Sequence, residues 1–361
     1  MAAKVTLPAL LKAMVDQGSS DLHLSAGAPP EFRISGRMVR VKMDPLTPPD
    51  IQEMCYAILT ADQKAAFEAE NELDFSFPIP GLARFRGNLF VSKGGVSAVF
   101  RLIPSRIPSF EELKLPLVLK KVMKRPHGLI LVTGPTGSGK STSLAAMLDF
   151  LNQEEFGHII TLEDPIEFVH THKNCVVNQR EVGSDTESFL AALRRILRQD
   201  PDYILVGELR DRETMEMALT MAETGHLVFG TLHTNGAIQS INRIVNSFEP
   251  HNQVQIRQVL AQNLQAVYSQ QLVAKRNGPG RALVAELMIP NIAIRNNIRE
   301  DKIHLIYSAM QTGQEDSGMF TMNQSLVNYV RDGTLAKADA LEMSPVPEEI
   351  VKLLGSVSDR K

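Results

Sequence analysis

The stretch that decides the fold is Leu129-Ile130-Leu131-Val132-Thr133-Gly134-Pro135-Thr136-Gly137-Ser138-Gly139-Lys140-Ser141-Thr142. It begins as an apolar run of strand length, passes through three glycines, and ends on a lysine followed by two hydroxyl side chains. After it, apolar residues recur at helical spacing, at Leu144, Met147, Leu148 and Leu151. A strand, a glycine-rich loop and a helix in this order are typical of a loop that binds the phosphate chain of a nucleotide.

Each residue type in this loop has a physical reason for its place. Glycines let backbone N–H groups approach phosphate oxygens, and the helix that begins near Lys140 directs the positive end of its dipole at the same anion. Lys140 can reach the β- and γ-phosphates, and the Ser141 hydroxyl can complete a Mg²⁺ shell made otherwise of phosphate and water oxygens. The predicted nucleotide-binding residues are Thr136, Gly137, Ser138, Gly139, Lys140, Ser141 and Thr142.

Length and composition restrict the possible classes of protein. A chain of 361 residues with 43% hydrophobic residues can form two or three domains with real cores. The net charge of −3 and the lack of a long basic run predict no nucleic-acid partner. Cys55 and Cys175 form no metal-binding pair, which favours a reducing cytosol. No apolar run approaches about 20 residues, so we expect no membrane span and no signal peptide.

The first part of the chain, residues 1–103, predicts a small α+β domain, and residues 104–112 predict a linker. Its predicted helices are one that carries the apolar stripe from Leu7 to Val15 and ends near Gly18, then Asp50–Leu59 and Ala61–Glu70. Its predicted strands are Asp21–Ser25, Glu31–Ile34, Arg37–Val41, Leu82–Val91 and Val96–Ile103. The last two strands are expected to form a hairpin across Lys93-Gly94-Gly95.

Residues 113–290 predict an α/β domain with a largely parallel sheet, because short apolar strands alternate with helices. After the strand at Leu129, the predicted strands are His158–Leu162, Tyr203–Val206 and Leu227–Leu232, and the predicted helices include Glu187–Arg198 and Arg212–Glu223. Residues 291–361 predict helices with polar loops, ending in a loose tail at Ser356–Lys361.

Polar side chains follow each of these core strands. Glu163 follows one strand, Glu208 follows another, and His233 follows a third. Because ligands bind at the carboxyl ends of the strands in an open α/β sheet, these side chains are expected at the edge that holds the γ-phosphate. Glu208 is the candidate to hold Mg²⁺, directly or through water, and Glu163 is the candidate to orient or deprotonate the attacking water. The residues alone also allow the reverse assignment.

Arginines are the remaining component, because a guanidinium usually stabilises the charge that develops during phosphoryl transfer. Arg84 and Arg86 are two residues apart on one strand and share a face with Arg101 on the strand paired by the hairpin. This arginine cluster is either a solvated sheet face or a group that a neighbouring subunit presents to the nucleotide.

Taken together, these residues resemble the retraction ATPases of type IV pili, the PilT family of the secretion-ATPase superfamily. The likeness covers nearly the whole chain and is carried by Ser20–Leu24, Arg84–Arg86, the phosphate loop, Ile160–Phe168, Asp202–Glu208 and Thr224–Thr234. Ala293–Glu300 resembles the retraction signature of the family, with Asn297 where the family has leucine.

The resemblance implies a RecA-like ATPase domain preceded by a smaller PAS-like domain. It implies a hexameric ring that hydrolyses ATP with Mg²⁺, with Arg84, Arg86 and Arg101 closing over the nucleotide of a neighbouring subunit. The ring would dock on the platform protein at the inner face of the cytoplasmic membrane and depolymerise the pilin fibre for twitching motility. A paralogous retraction ATPase is a further implied partner.

Three other functions are open to the residues. An assembly ATPase of pili or type II secretion usually carries a four-cysteine zinc module, which two distant cysteines do not supply. A DNA-processing NTPase is disfavoured by the acidic balance of the chain. A nucleotide sensor with negligible turnover is disfavoured by two glutamates beside the phosphate loop.

Overall fold

The computed structural model describes residues 5–34, 36–93, 95–104, 106–278, 280–312 and 317–355. The chain divides into two compact units, residues 1–106 and 107–361. Gly94 of the predicted hairpin turn and the predicted loose tail at Ser356–Lys361 lie outside the described residues. Within the described residues, no helix has the length and apolar character needed to cross a membrane.

The first unit is built on a six-stranded antiparallel sheet with the strand order β3-β2-β1-β6-β5-β4. Its strands are β1 (Asp21–Leu24), β2 (Glu31–Ile34), β3 (Arg37–Arg40), β4 (Glu72–Ile79), β5 (Ala83–Ser92) and β6 (Gly95–Ile103). The predicted strands are confirmed, and β4 is an addition. It lies at the edge of the sheet, a place that tolerates Pro78 within a strand.

Three helices pack with this sheet: α1 (Leu7–Asp16), α2 (Pro48–Tyr56) and α3 (Ala61–Glu70). Capping fixes where α3 begins, since Thr60 and Gln63 exchange side-chain hydrogen bonds with each other's backbone N–H. Leu11 of α1 and Ile51 of α2 are fully buried in one apolar core with Phe85 and Phe100 of the sheet. One sheet face is therefore committed to the core, and the opposite face carries polar side chains.

The second unit is built on a seven-stranded sheet with the strand order β13-β12-β7-β11-β10-β8-β9. Its strands are β7 (Gly128–Thr133), β8 (His158–Glu163), β9 (Val176–Glu181), β10 (Tyr203–Val206), β11 (Leu227–Leu232), β12 (Leu264–Ala274) and β13 (Arg281–Met288). All neighbours are parallel except β13, which runs antiparallel to β12. The predicted largely parallel sheet is confirmed, while β9, β12 and β13 were not predicted.

Helices cover both faces of this sheet. They are α4 (Val118–Met123), α5 (Lys140–Glu154), α6 (Phe189–Ile196), α7 (Arg212–Glu223), α8 (Ala237–Asn246), α9 (Gln253–Asn263), α10 (Ile292–Arg299), α11 (Ile306–Thr312), α12 (Met322–Arg331), α13 (Lys337–Met343) and α14 (Pro347–Leu354). Alternate residues of β7 serve two cores: Ile130 packs with α5, and Leu131 packs with the helices of the other face. A further apolar cluster joins α12, α13 and α14 to β12 and β13.

Candidate active site

The loop between β7 and α5 has the backbone geometry of a phosphate loop. Gly134, Gly137 and Gly139 have φ angles of 141°, 78° and 86°, a region that side chains other than glycine rarely adopt. A Cβ at Gly134 would lie 2.1 Å from the backbone oxygen of Gln270, so this glycine also permits a close approach of β12. Pro135, Thr136 and Gly137 are exposed, and Ser138 is buried. The tip of the loop is therefore open to a ligand while its base is fixed.

Lys140 is the first residue of α5 and lies over this loop. Its ammonium group donates to the backbone oxygens of Gly134, at 2.8 Å, and Pro135, at 3.1 Å. Burial lowers the pKa of Lys140, and the carboxylates of Glu208 and Glu167 oppose that shift. Strands β7, β11, β10 and β8 are parallel neighbours, so the residues that follow β8 and β10 lie at the same edge of the sheet as the phosphate loop.

Glu208 and His233, which follow β10 and β11, are in direct contact. His233 Nε2 lies 3.2 Å from one Glu208 oxygen, and Arg210 Nε lies 2.8 Å from the other. The hydrogen bond that Arg210 donates to Glu208 raises the pKa of Arg210. The strand order places β11 directly beside β7 and β10 beside β11. The structure thus brings together the lysine, the second glutamate and the histidine that the sequence predicted at one edge.

Glu163 ends β8, on the far side of β10 from β11, so β8 lies three strands from β7, or about 14 Å at the usual strand spacing. Its Oε1 accepts from Thr161 Oγ1, at 2.7 Å, and from Gln179 Nε2, at 3.1 Å. Burial raises the pKa of Glu163, and these hydrogen bonds, with one from the Glu167 backbone, oppose the shift. A carboxylate with a raised pKa and a preset orientation has the properties of a general base.

Two further residues near the site were missed by the sequence reading. Gln270 Nε2 donates to the backbone oxygen of Ser138, at 2.6 Å, and so supports the phosphate loop from β12. The exposed Glu167 acts electrostatically on both Lys140 and Glu163. Glu167 could have been found from its place just after Glu163-Asp164-Pro165, whereas nothing local in the sequence marks Gln270.

A cavity of about 450 Å³ adjoins the phosphate loop. One wall is made by the loop and the start of α5, including Ser138, Gly139 and Thr142, and the opposite wall includes Lys275 and Tyr329. A cavity of this size is in the range of small-molecule sites, and it lies directly against the phosphate loop.

The three predicted arginines share the outer face of the sheet in the first unit. Arg86 is directly opposite Arg101 in the register of β5 and β6, and Arg84 is two residues from Arg86. Arg101 Nε lies 2.8 Å from the buried carboxylate of Asp21, while 67% of the Arg101 side chain stays exposed. Arg84 Nη2 donates to Ser76 Oγ at 2.6 Å. The predicted common face is confirmed, and the role of these arginines stays a prediction.

The fold and the site define a nucleotide-binding α/β protein with a phosphate loop, in which two carboxylates and a histidine follow neighbouring strands. Residues 5–331 match the family model described as type II/IV secretion system protein, and the chain belongs to this family.

Three comparisons narrow the similarity within that family. The chain is 51% identical to the type IV pilus retraction ATPase PilT of Pseudomonas aeruginosa, over 94% of this chain and 98% of that protein. It is 41% identical to the type IV pilus ATPase PilU of the same organism, over 97% and 92% of the two chains. A crystal structure of the pilus retraction motor PilT with bound ADP matches with a TM-score of 0.91 and 49% identity, covering 96% of this chain and 99% of that one.

Proposed function

We propose that this chain is an ATP-hydrolysing motor that powers retraction of type IV pili, and hence twitching motility. The observation that carries this proposal is the 51% identity to PilT over nearly the full length of both chains. The contact between Glu208 and His233 beside the phosphate loop supports hydrolysis rather than binding alone. The rate of ATP hydrolysis at this site distinguishes a motor, which turns over ATP, from a nucleotide sensor, which binds it with negligible turnover.

The phosphate loop and α5 hold the nucleotide in this proposal. Backbone N–H groups of the loop and the ammonium of Lys140 bind the β- and γ-phosphates, with Thr136, Gly137, Ser138, Gly139, Ser141 and Thr142 lining the same anion. The cavity beside the loop takes the nucleoside, because it continues from Ser138 and Gly139 away from the loop tip. The ADP bound to the related PilT structure supports a nucleotide as the ligand.

Ser141 and Glu208 are the proposed residues for Mg²⁺. Their hydroxyl and carboxylate oxygens are the hard donors that this ion prefers, and Glu208 lies close enough to act on the charge of Lys140. When bound, Mg²⁺ neutralises charge on the β- and γ-phosphate oxygens. Glu208 holds its place through Arg210, and His233, bonded to the other oxygen of Glu208, is proposed to contact the γ-phosphate.

Glu163 is the proposed base that orients the attacking water and accepts its proton. Two observations support this assignment over the reverse one. The pKa of Glu163 is raised by burial, and its Oε1 is oriented by Thr161 and Gln179.

The remaining proposals concern assembly. We propose a homohexamer in which Arg84, Arg86 and Arg101 of one subunit stabilise the transition-state charge at the nucleotide of its neighbour. The first unit, with an antiparallel sheet and one polar face, is proposed to be PAS-like, and the second RecA-like. The ring is proposed to dock on the platform protein of the pilus machine at the cytoplasmic face of the membrane. The similarity to PilU as well as PilT supports a paralogous ATPase as a further partner.

Two measurements test this function. The purified chain is expected to release phosphate from ATP in steady state, and a Lys140→Ala variant is expected to release none above background. Cells that lack the chain are expected to carry an excess of fibres that do not retract. Bald cells would indicate an assembly motor instead, and nucleotide binding without turnover would indicate a sensor.

A further inference from the structure

Three buried polar side chains form a row across neighbouring strands at the end of β7. Thr133 is paired with Ser269 of β12, and Ser269 is paired with Glu286 of β13. Residues paired in this way point to the same face of the sheet. Thr133 and Ser269 are completely buried, and Glu286 is 6% exposed. Because an unpaired buried charge is costly, the partners of Glu286 show what holds it there.

Glu286 accepts hydrogen bonds from the first residues of two helices. Ala237 N, which begins α8, lies 2.6 Å from Oε1, and Met322 N, which begins α12, lies 3.4 Å from Oε2. The first N–H groups of a helix have no partner within the helix. The residue before α8 is Gly236, which has no side chain to cap it, so Glu286 supplies the cap from another strand.

The segment that Glu286 caps leads directly from His233. Only Thr234, Asn235 and Gly236 separate the histidine from α8. A Cβ at Gly236 would lie 3.2 Å from Glu286 Oε1, so the carboxylate packs tightly against this segment. Ser240 completes the support, since its Oγ donates to the Gly236 backbone oxygen at 2.7 Å. We call residues 233–237 the histidine loop.

We propose that Glu286 is a positioning residue that fixes the histidine loop and ties it to α12 of the C-terminal region. The proposal rests on the proposed role of His233 at the γ-phosphate. One carboxylate joins the start of α8, through Oε1, to the start of α12, through Oε2. Thr133, the residue before Gly134, and Ser269 lie in the same buried row by strand register, and neither hydroxyl has a hydrogen-bond partner among the described residues.

The test compares Glu286→Gln with Ser325→Ala. Glutamine keeps the size of the side chain but replaces one acceptor oxygen by an N–H₂ group, which cannot accept from either of the two donors. Ser325 lies on α12 and accepts from Ala285 N at 3.3 Å, so its loss weakens the contact between α12 and β13 without touching the histidine loop. Hydrogen exchange of peptides covering 233–240 and 320–326 is measured together with thermal unfolding, kcat and KM.

Glu286→Gln is expected to speed exchange in both peptides and to lower kcat about tenfold with KM within about threefold, as for loss of a buried hydrogen bond. Ser325→Ala is expected to affect only the second peptide and to leave kcat unchanged. In a double-mutant cycle, His233→Ala is expected to cost less in the Glu286→Gln background than in the original chain. Glu286→Asp, which keeps the charge on a shorter side chain, carries the test if Glu286→Gln does not fold.

Unchanged exchange in residues 233–240 of the Glu286 variant, or kcat losses that multiply with those of His233→Ala, would overturn the proposal. Exchange is measured without turnover. A chain that hydrolyses no ATP would therefore contradict the proposed function while the exchange of the histidine loop still decides whether Glu286 positions it.

Discussion

Replacing Glu163 by glutamine separates the charge of this side chain from its hydrogen bonds. Glu163 Oε1 accepts from Thr161 Oγ1 and Gln179 Nε2. The carbonyl oxygen of a glutamine can accept both bonds, so the variant keeps the local arrangement of the site and loses only the basic carboxylate.

The expected loss follows from that chemistry. A positioned general base contributes about 10²–10⁴-fold, so kcat is expected to fall at least about 100-fold, or about 2.7 kcal/mol in the barrier. The dissociation constant for ATP is expected to change by less than about threefold, since Glu163 lies about three strand spacings from the phosphate loop. Steady-state phosphate release and equilibrium binding of a nucleotide analogue measure the two quantities.

The pH dependence supplies a second readout. Burial raises the pKa of Glu163, so the original chain is expected to lose activity as the pH falls through that raised value, and the variant is expected to lack this acid limb. The free energy of unfolding depends on pH in the opposite direction from activity. The folded chain binds this proton more tightly than the unfolded chain, so the charged form of Glu163 destabilises the fold at neutral pH. Glu163→Gln is therefore expected to unfold at the same temperature as the original chain or higher.

Glu155→Gln is the matched control. Glu155 lies before β8, at the opposite end of the strand from Glu163, and its partner is Lys124 at 3.4 Å. The Glu155→Gln variant carries the same chemical change at a position away from the phosphate loop. Its kcat is expected to stay within about twofold of that of the original chain. Turnover near the original rate in Glu163→Gln, or loss of ATP binding together with turnover, would refute the proposed role of this residue.

Three further predictions concern the loop and the ring. Lys140→Ala and Arg84→Ala chains, each inactive alone, are expected to restore part of the turnover when mixed in one ring; no recovery after verified subunit mixing would place the complete site within one chain. Gln270→Ala is expected to weaken nucleotide binding about fivefold to tenfold, because the buried bond to the Ser138 backbone is lost; unchanged affinity in a titration would show that the loop needs no such support. Gly134→Ala is expected to abolish nucleotide binding and to lower the melting temperature, because its Cβ would overlap the Gln270 backbone oxygen; calorimetry with and without ADP checks both effects, and full binding would contradict the close approach.

The sequence predicted those parts of the site whose signal lies within one short segment of the chain. A short apolar run indicates a strand, and the acid or histidine just after it marks where the strand ends. The predicted bounds of Tyr203–Val206 and Leu227–Leu232 agree with the structure. Since ligands lie at the carboxyl ends of parallel strands, the sequence also predicted that Glu208 and His233 lie at one edge of the sheet. Their contact at 3.2 Å confirms the geometry, while their catalytic roles stay predictions.

The parts that the sequence did not predict depend on pairing between distant segments. Helix α9 ends at Asn263 and β12 begins at Leu264, so no turn residue separates the helix from the strand. Strand β12 also contains the polar run Ser269-Gln270-Gln271, which is not typical of a buried strand, although β12 is buried beside β7. Because β12 and β13 carry Gln270 and Glu286, the support of the phosphate loop and of the histidine loop could be seen only in three dimensions.

Lys140 has two backbone acceptors within its own loop, the carbonyl oxygens of Gly134 and Pro135. These oxygens are alternatives to phosphate oxygens, so departure of ADP does not strand an ammonium ion without partners in a half-buried place. Each release of nucleotide then exchanges the phosphate partners of Lys140 for these two carbonyl oxygens and does not leave its ammonium group without a hydrogen-bond acceptor. The Gly134 and Pro135 oxygens therefore favour release of the spent nucleotide, and the same two bonds must be given up when the next nucleotide binds.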